Sequence, residues 1–378
     1  MTLNLDFTEE QDMLRGMVRG LLAQYADNES IRALEDDPVG YSRDLWTQLA
    51  ELDLLGLLLP AQYGGSEMSM LEGVIVYEEL GRSLAPTPHL VSCVVSAGAI
   101  VRAGTEAQKD EWLPRIAKGE VILTPAWLEP ENGFGPAGVQ VRAEASGDGF
   151  TISGKKRHVL FASSADRLVV LARTGDAPGD IDLFLVDPNA AGVTLTQQMS
   201  ISSDTQYDVV LDGVAVTAAD RIGEAGSGWA TWESVMEDAM ILTAALATGG
   251  TEHSLDITVQ YAKDREQFDK PLGAFQAISH YLADAKTELD GGKVLVYEAA
   301  WAHSKGRPLT SLAPMAKSFT TKAYRDTTAV AQQIFGGVGF TLEYEIQLYF
   351  RRAKQLQITW NDTRRCEELI AAAILDAA

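Results

Sequence analysis

The pattern of hydrophobic and polar positions changes period twice along the chain. From Thr8, the apolar residues Met13, Leu14, Val18, Leu21 and Leu22 recur at helical intervals, and Thr8 with Gln11 has capping-box spacing. The stretch LLGLLLPAQYGG breaks at Pro60 and Gly64-Gly65, and MLEGVIVYEELGR restarts a helix. Further helices are predicted over residues 90–103 and across TEAQKDEWLPRIAKGE, where Thr105 suits the N-cap. Around Val121 the texture changes. VQVRAEAS, FTISGKKRHVLF, RLVVLART, DLFLVD, VTLTQ and YDVVLDGVAV are short, β-branched and punctuated by Gly, Asp or Pro, which predicts an antiparallel β domain ending near Arg221. From about Gly228 the chain turns helical again. Leu255, Val259 and Ala262 share one face, Pro271 interrupts, and AFQAISHYLADAKTELDGGKVLVYEAAWAH resumes before an Ala-rich helical end. The expected domains are helical over 1–120, β over 121–222 and a helical bundle over 223–378. No repeat or low-complexity linker interrupts them.

At 378 residues and 46% hydrophobic, the chain is long enough for a sizeable core. A formal net charge of −22 argues against a nucleic-acid partner, which needs a broad basic surface, but not against an anionic small ligand held by a few local cations. The two cysteines, Cys93 and Cys366, make no disulfide framework and suggest a reducing compartment, with Cys93 read as a buried apolar residue. The acidic start, MTLNLDFTEEQDMLRG, lacks a signal-peptide apolar run, no stretch approaches the length of a membrane span, and ILDAA carries no sorting signal. A soluble cytoplasmic protein is the expectation.

Several blocks in order resemble the acyl-CoA dehydrogenase family over nearly the whole chain. They are DFTEEQ, GLLLPAQYGG, YEELGRSLAP, GTEAQKDEWLPRIAKGE, ISGKKRHVLFASSADRLVVLART, SSDTQYDVVLDGVAV, YAKDREQFDKPLGAFQAISHYLAD and QQIFGGVGFTLEYEIQLYFRRAK. The resemblance implies an α+β protein of the acyl-CoA dehydrogenase fold: N-terminal helices, a central antiparallel β domain and a C-terminal four-helix bundle. It also implies FAD. In that chemistry a carboxylate removes the proton alpha to a thioester, and the flavin accepts hydride from the beta carbon. Each FAD of the family lies across a subunit boundary, with one subunit cradling the ring and its neighbour holding the pyrophosphate and adenosine.

The donated half of that site is well kept. By resemblance, Arg265 extends to a neighbour's FAD pyrophosphate, Phe268 packs beside the cofactor, and Gln276 belongs to the same block. Gln333, Gly336 and Gly337 match the turn that approaches the adenosine end, where missing side chains permit close backbone contact. Alone, Arg265 would read as a surface salt bridge. The ring-cradling half is eroded. In LEPENGFGPAG, Glu129 and Pro130 match the family loop but its Ser-Asp is absent, and GKKRHVLFA places His158 and Leu160 where an aromatic and a threonine lie against the flavin. Leu160 has no hydroxyl to offer, and His158 reads more simply as a partly exposed strand histidine.

Both usual positions of the base are vacant. Six residues after Lys354 stands Trp360, followed by Asn361 and Asp362 where the family has Gly-Thr. The alternative family position, 26 residues before Arg265, is Ala239. Glu237 and Asp238 flank it, but one helical step rotates a side chain by about 100°, and both read as solvated helix acids. Trp360 reads as a packing residue and Asp362 as the rescue candidate. One half kept and one half lost resembles the base-less subunit of heteromeric α2β2 acyl-CoA dehydrogenases of bacterial steroid side-chain breakdown. The expected partners are then a homologous subunit that carries the glutamate and binds most of the acyl-CoA, and an electron-transfer flavoprotein. The competing readings are a homomer whose base has moved to Asp362 or Asp238, and a flavin-free scaffold of the same fold.

Overall fold

The computed structural model describes residues 7–130 and 133–376. Glu131 and Asn132 of the LEPENGFGPAG loop, Asp6 of DFTEEQ and the last two residues of ILDAA lie outside the described residues. Two compact units emerge: a helical unit from the described residues of Met1–Ile31, Ser69–Ala85 and Met240–Ala378, and a β unit from Arg32–Met68 and Pro86–Ala239.

In chain order the elements are α1 (Glu9–Tyr25), α2 (Asn28–Ala33), α3 (Arg43–Glu51), α4 (Met70–Ser83), a π-helical segment (Leu90–Ser96) running into α5 (Ala97–Ala103), and α6 (Glu106–Ala117). Strands β1 (Leu123–Ala126), β2 (Arg142–Ser146), β3 (Gly149–Leu160), β4 (Arg167–Arg173), β5 (Ile181–Val186), β6 (Val193–Gln198), β7 (Gln206–Thr217) and β8 (Arg221–Ile222) follow. Then come α7 (Gly228–Asp264), the small hairpin β9 (Glu266–Gln267) and β10 (Lys270–Pro271), α8 (Gln276–Ser304), α9 (Leu312–Phe335), α10 (Ile346–Ile358) and α11 (Thr363–Leu375). This is the expected order of N-terminal helices, middle sheet and C-terminal helices. Capping boxes start α1 at Thr8 with Gln11 and α6 at Thr105 with Gln108.

The β unit is built on one eight-stranded sheet, β6-β7-β3-β2-β4-β5-β8, with β1 beside β4. Its ladders are antiparallel except along β4, where β1 and one residue of β2 pair in parallel. The long return from β1 through the β2–β3 hairpin allows that direction. Ile152, Val170, Phe184, Val209 and Leu211 fill the core of this unit. In the helical unit, Ala247, Tyr324, Ile346, Leu348 and Tyr349 belong to one core cluster, and Leu255 packs with Val259, Ala285 and Leu289 in another. Helices α4 and α7 approach backbone to backbone. A Cβ on Gly81 would stand 2.0 Å from the Leu246 carbonyl oxygen, and one on Gly249 would stand 1.8 Å from that of Glu78.

Candidate functional site

The end of α7 presents Arg265. Its N–H closes the last helical turn on the Tyr261 carbonyl at 2.8 Å, and its carbonyl accepts from Leu272 N at 2.8 Å, sealing the β9–β10 hairpin. The hairpin turn puts Phe268 and Asp269 in the left-handed region, at φ 54 and φ 62. Phe268 is 86% exposed, so it packs no core; its ring stands edge-on, 6.2 Å from Phe275, the residue before Gln276. Arg265, Gln276, Gln333, Gly336 and Gly337 are all exposed. Among the described residues, the Arg265 guanidinium and the Gln276 and Gln333 side-chain amides have no hydrogen-bond or ion-pair partner.

The turn after α9 is open as well. Gly336 has φ 65, and a Cβ built on Gly336 or Gly337 meets nothing within 4 Å. The ends of α7 and α9 are joined by aromatic rings. Tyr261 stacks on Phe335 with centroids 4.2 Å apart and planes 17° apart, and Tyr344 packs edge-on against both. Phe335 immediately precedes Gly336. An unpartnered guanidinium, two free amides and an open glycine turn are the donor set and cradle that a pyrophosphate and its nucleoside require. The residues present fit that half of FAD.

In the β unit, Glu129, which the resemblance places in the ring-side loop, is engaged within the protein. Glu129 accepts from Gln140 N at 2.9 Å, from Val141 N at 3.0 Å and from Lys156 Nζ at 2.7 Å. Lys156 also donates to the Trp127 carbonyl at 3.3 Å. Burial lowers the Lys156 ammonium below the ordinary lysine value, and Glu129 pulls the other way. Arg173 donates to three carbonyls, those of Val139, Ala177 and Pro136, at 3.0, 2.7 and 2.8 Å. Residues 136–141 are therefore held by buried charges of the protein itself. Phe134, after Gly133, lies against Trp127 at 5.8 Å, and Trp127 against Trp232 at 5.1 Å.

His158 sits at φ 55 within an irregularity of the β3–β7 ladder between Lys156 and Val159. It is exposed, and its Nδ1 donates to Gln206 Oε1 at 2.7 Å. Leu160 is half-buried and carries no polar side-chain atom. Of the two residues that the resemblance sets against the flavin ring, Leu160 offers no hydrogen-bond donor and His158 has its Nδ1 engaged, so among the described residues this pair fits the ring end poorly.

At the two positions that the resemblance assigns to the base, Ala239 is fully buried and Trp360 is 6% exposed. Trp360 and Asn361 are consecutive left-handed residues at φ 51 and φ 71. Lys317, on α9, holds this turn. Its buried Nζ donates to the Gln357 carbonyl at 3.0 Å and to the Asn361 carbonyl. Burial brings the Lys317 ammonium down to about 8, while Cys366 and Asp362 pull it upward. The Asn361 side-chain nitrogen reaches Met240 Sδ at 3.7 Å, so the residues that follow the two alternative base positions meet. Asp362 is the N-cap of α11, its Oδ1 accepting from Arg365 N at 2.8 Å. The reading of Asp238 as a solvated acid is corrected: it is buried and bonded to Arg102 Nη2 at 2.6 Å. The reason is the packing of α5 on the start of α7, which a single-helix pattern does not contain.

Sequence reasoning missed Lys156, Arg173, Lys317 and the Tyr261–Phe335 stack. A signal existed for one of them. Lys156 stands an even number of residues from the core residue Ile152 on the same strand, which puts it on the inward face. A cleft of about 260 Å³ in the helical unit, lined by Arg19, Leu22, Glu79, Arg82 and Glu345 among others, contains none of the predicted site residues. Among the described residues, no cluster of His, Cys, Asp and Glu is arranged to hold a metal ion, and no helix is long and apolar enough to cross a membrane.

Three family models match along the chain: the acyl-CoA dehydrogenase N-terminal domain over residues 8–120, the middle domain over 125–214 and the C-terminal domain over 226–371. The chain is 32% identical over 366 residues to the probable acyl-CoA dehydrogenase YngJ of Bacillus subtilis, covering 94% of this chain and 95% of that one. It is similar to a chain of the ChsE4–ChsE5 complex from Mycobacterium tuberculosis, at 28% identity and TM-score 0.89, covering 98% and 99% of the two chains. It is also similar to a chain of a variant of the Tcur3481–Tcur3483 steroid ACAD, at 30% identity and TM-score 0.87, covering 98% of each.

Proposed function

The chain belongs to the acyl-CoA dehydrogenase family, and from that premise we propose that it is the subunit that completes an FAD site whose catalytic base lies on another polypeptide. The family consists of FAD-dependent oxidoreductases acting on CH–CH bonds. FAD, when bound, accepts the hydride; the protein supplies a base, orientation and electrostatics.

One observation carries the reading: the two halves of the site are in opposite states. Arg265 and the Gly336–Gly337 turn are exposed and unengaged among the described residues, as groups meant for a cofactor seated on a neighbour would be. At the base positions stand buried Trp360 and Ala239, and the nearby acids Asp238 and Asp362 serve an ion pair and a helix cap. Arg265 would use its fork on the pyrophosphate, Gln276 and Gln333 would donate beside it, Phe268 would cover the cofactor, and Gly336–Gly337 would admit the adenosine end. The heteromeric and steroid-acting neighbours support a homologous partner subunit and a steroid side-chain thioester as the substrate class, bound mainly by that partner. We further propose an electron-transfer flavoprotein as acceptor and a cytoplasmic location. The exposed arginine counts against a flavin-free scaffold, which has no use for a pyrophosphate clamp.

The test is purification of the chain alone and with its partner, recording flavin absorbance and acyl-CoA oxidation. Alone, the chain is expected to be colourless and inactive. A yellow homomer that turns over any acyl-CoA refutes the proposal.

A further inference from the structure

We propose that Tyr261 is a positioning residue for the FAD half-site: its stack on Phe335 sets where the Arg265 guanidinium stands relative to the Gly336–Gly337 turn. This rests on the reading of Arg265 as a cofactor clamp. Tyr261 lies on the last turn of α7, four residues before Arg265, whose N–H it receives at 2.8 Å. Phe335 is the last residue of α9, and Gly336 leaves it at φ 65. The two rings are nearly parallel at 4.2 Å, and the Tyr261 hydroxyl reaches the Phe335 carbonyl at 3.5 Å, a long contact that adds little beside the ring packing.

The stack therefore connects the residue one turn before the arginine with the residue one step before the glycines. Beyond Arg265, residues 266–270 are all exposed and are tied to the rest of the protein by the Leu272 N–H on the Arg265 carbonyl and by Phe268 and Lys270 against Phe275. The buried-side anchor of the helix end is thus the Tyr261 stack. Tyr344, edge-on to Tyr261 at 5.9 Å and to Phe335 at 5.4 Å, limits sliding of the rings. A charged fork that must meet an anion in fixed geometry is sensitive to small displacements of the helix end that carries it.

The experiment uses a tag on this chain, the assembly it purifies with, and FAD titration into flavin-depleted protein, read by flavin fluorescence. Tyr261→Leu is expected to weaken FAD by roughly ten-fold, part of what removal of a charge-assisted contact costs. Tyr261→Phe, which keeps the ring, is expected to bind as the parent does. The Tyr261→Leu/Arg265→Ala double variant is expected to bind no more weakly than Arg265→Ala alone, since the tyrosine acts through the arginine. Phe335→Leu removes the other ring, is expected to match Tyr261→Leu, and carries the test if that variant fails to fold. Unchanged affinity in the leucine variants, or effects that add in the double variant, overturn the positioning role while the clamp stands. Unchanged affinity in Arg265→Ala overturns the clamp itself.

Discussion

Replacing Asp362 separates a helix cap from a proton acceptor. Asp362 Oδ1 accepts the Arg365 N–H at 2.8 Å and so satisfies one open donor of the first turn of α11. Loss of such a cap costs about 1 kcal/mol, and loss of a negative charge at a helix N-terminus costs about 0.3–1 kcal/mol more. Asp362 also favours the charged form of buried Lys317, which adds to the cost in the same direction. Asp362→Ala is therefore expected to lower stability by about 1–2 kcal/mol. Asp362→Asn keeps an oxygen acceptor at the cap but loses the charge, and is expected to lose about 0.3–1 kcal/mol. Denaturation of each variant, beside acyl-CoA turnover of the assembled complex, gives both readouts. If the carboxylate only caps, both variants keep near-parental turnover, and their stabilities differ. If it is the base, asparagine is as damaging as alanine, because an amide takes no proton, and general-base loss costs about 10²–10⁴-fold. A hundred-fold loss of turnover in Asp362→Asn, with FAD still bound, would refute the reasoning.

Trp360→Glu restores the carboxylate that the resemblance expects, yet is expected to give no activity, since a base acts only on a substrate held within reach beside a flavin. Its buried site makes the variant less stable by a few kcal/mol, and any gain of turnover by the chain alone would contradict this. Lys317→Met strands the Gln357 and Asn361 carbonyls and is expected to lose about 1–3 kcal/mol at pH 7. Because the folded value of Lys317 is about 8 against an ordinary 10.5, the unfolded chain binds the extra proton between those pH values. The parent's advantage over Lys317→Met should therefore grow as pH rises through that window, and a constant difference would count against a depressed lysine. His89 is buried with its Nε2 donating to the Leu54 carbonyl at 2.9 Å, and burial holds it down to about 4 against an ordinary 6.5. Here stability is expected to fall as pH drops from 6.5 to 4, by on the order of 3 kcal/mol; a His89→Gln variant with the same slope would disprove the assignment.

Local signals made most of the architecture legible. Thr8 with Gln11 starts a helix where its spacing indicates, Thr105 takes the N-cap expected of it, and the six β-branched runs all contain strands. Glycine and proline punctuation marked the limits because those residues alter the backbone locally. Buried charge was hardly legible, the spacing of Lys156 from Ile152 being the one local sign of it. Lys156 in GKKRH and Lys317 in APMAKSF look like surface lysines, and what buries them lies far along the chain: Glu129 for one, the carbonyls of residues 357 and 361 for the other. Asp238 fails for the same reason, its partner Arg102 being 136 residues away. The exposed half of the candidate site came from residue identity in a recurring block, whereas the Tyr261–Phe335 stack spans 74 residues and has no local pattern at all.

The clamp of Lys317 on the 357–361 segment separates the path of the chain from the identity of residue 360. The lysine grips main-chain oxygens, and asparagine is among the few side chains that tolerate the left-handed backbone glycine would adopt at 361. A tryptophan and a glutamate at 360 would thus trace the same curve. Superposition of backbones cannot distinguish a chain that carries a carboxylate there from one that does not, and a shape match, however close, is silent about whether the chain turns over a substrate by itself. Inventories that count each such fold as one enzyme would overstate the number of independent catalysts wherever two chains share a single site.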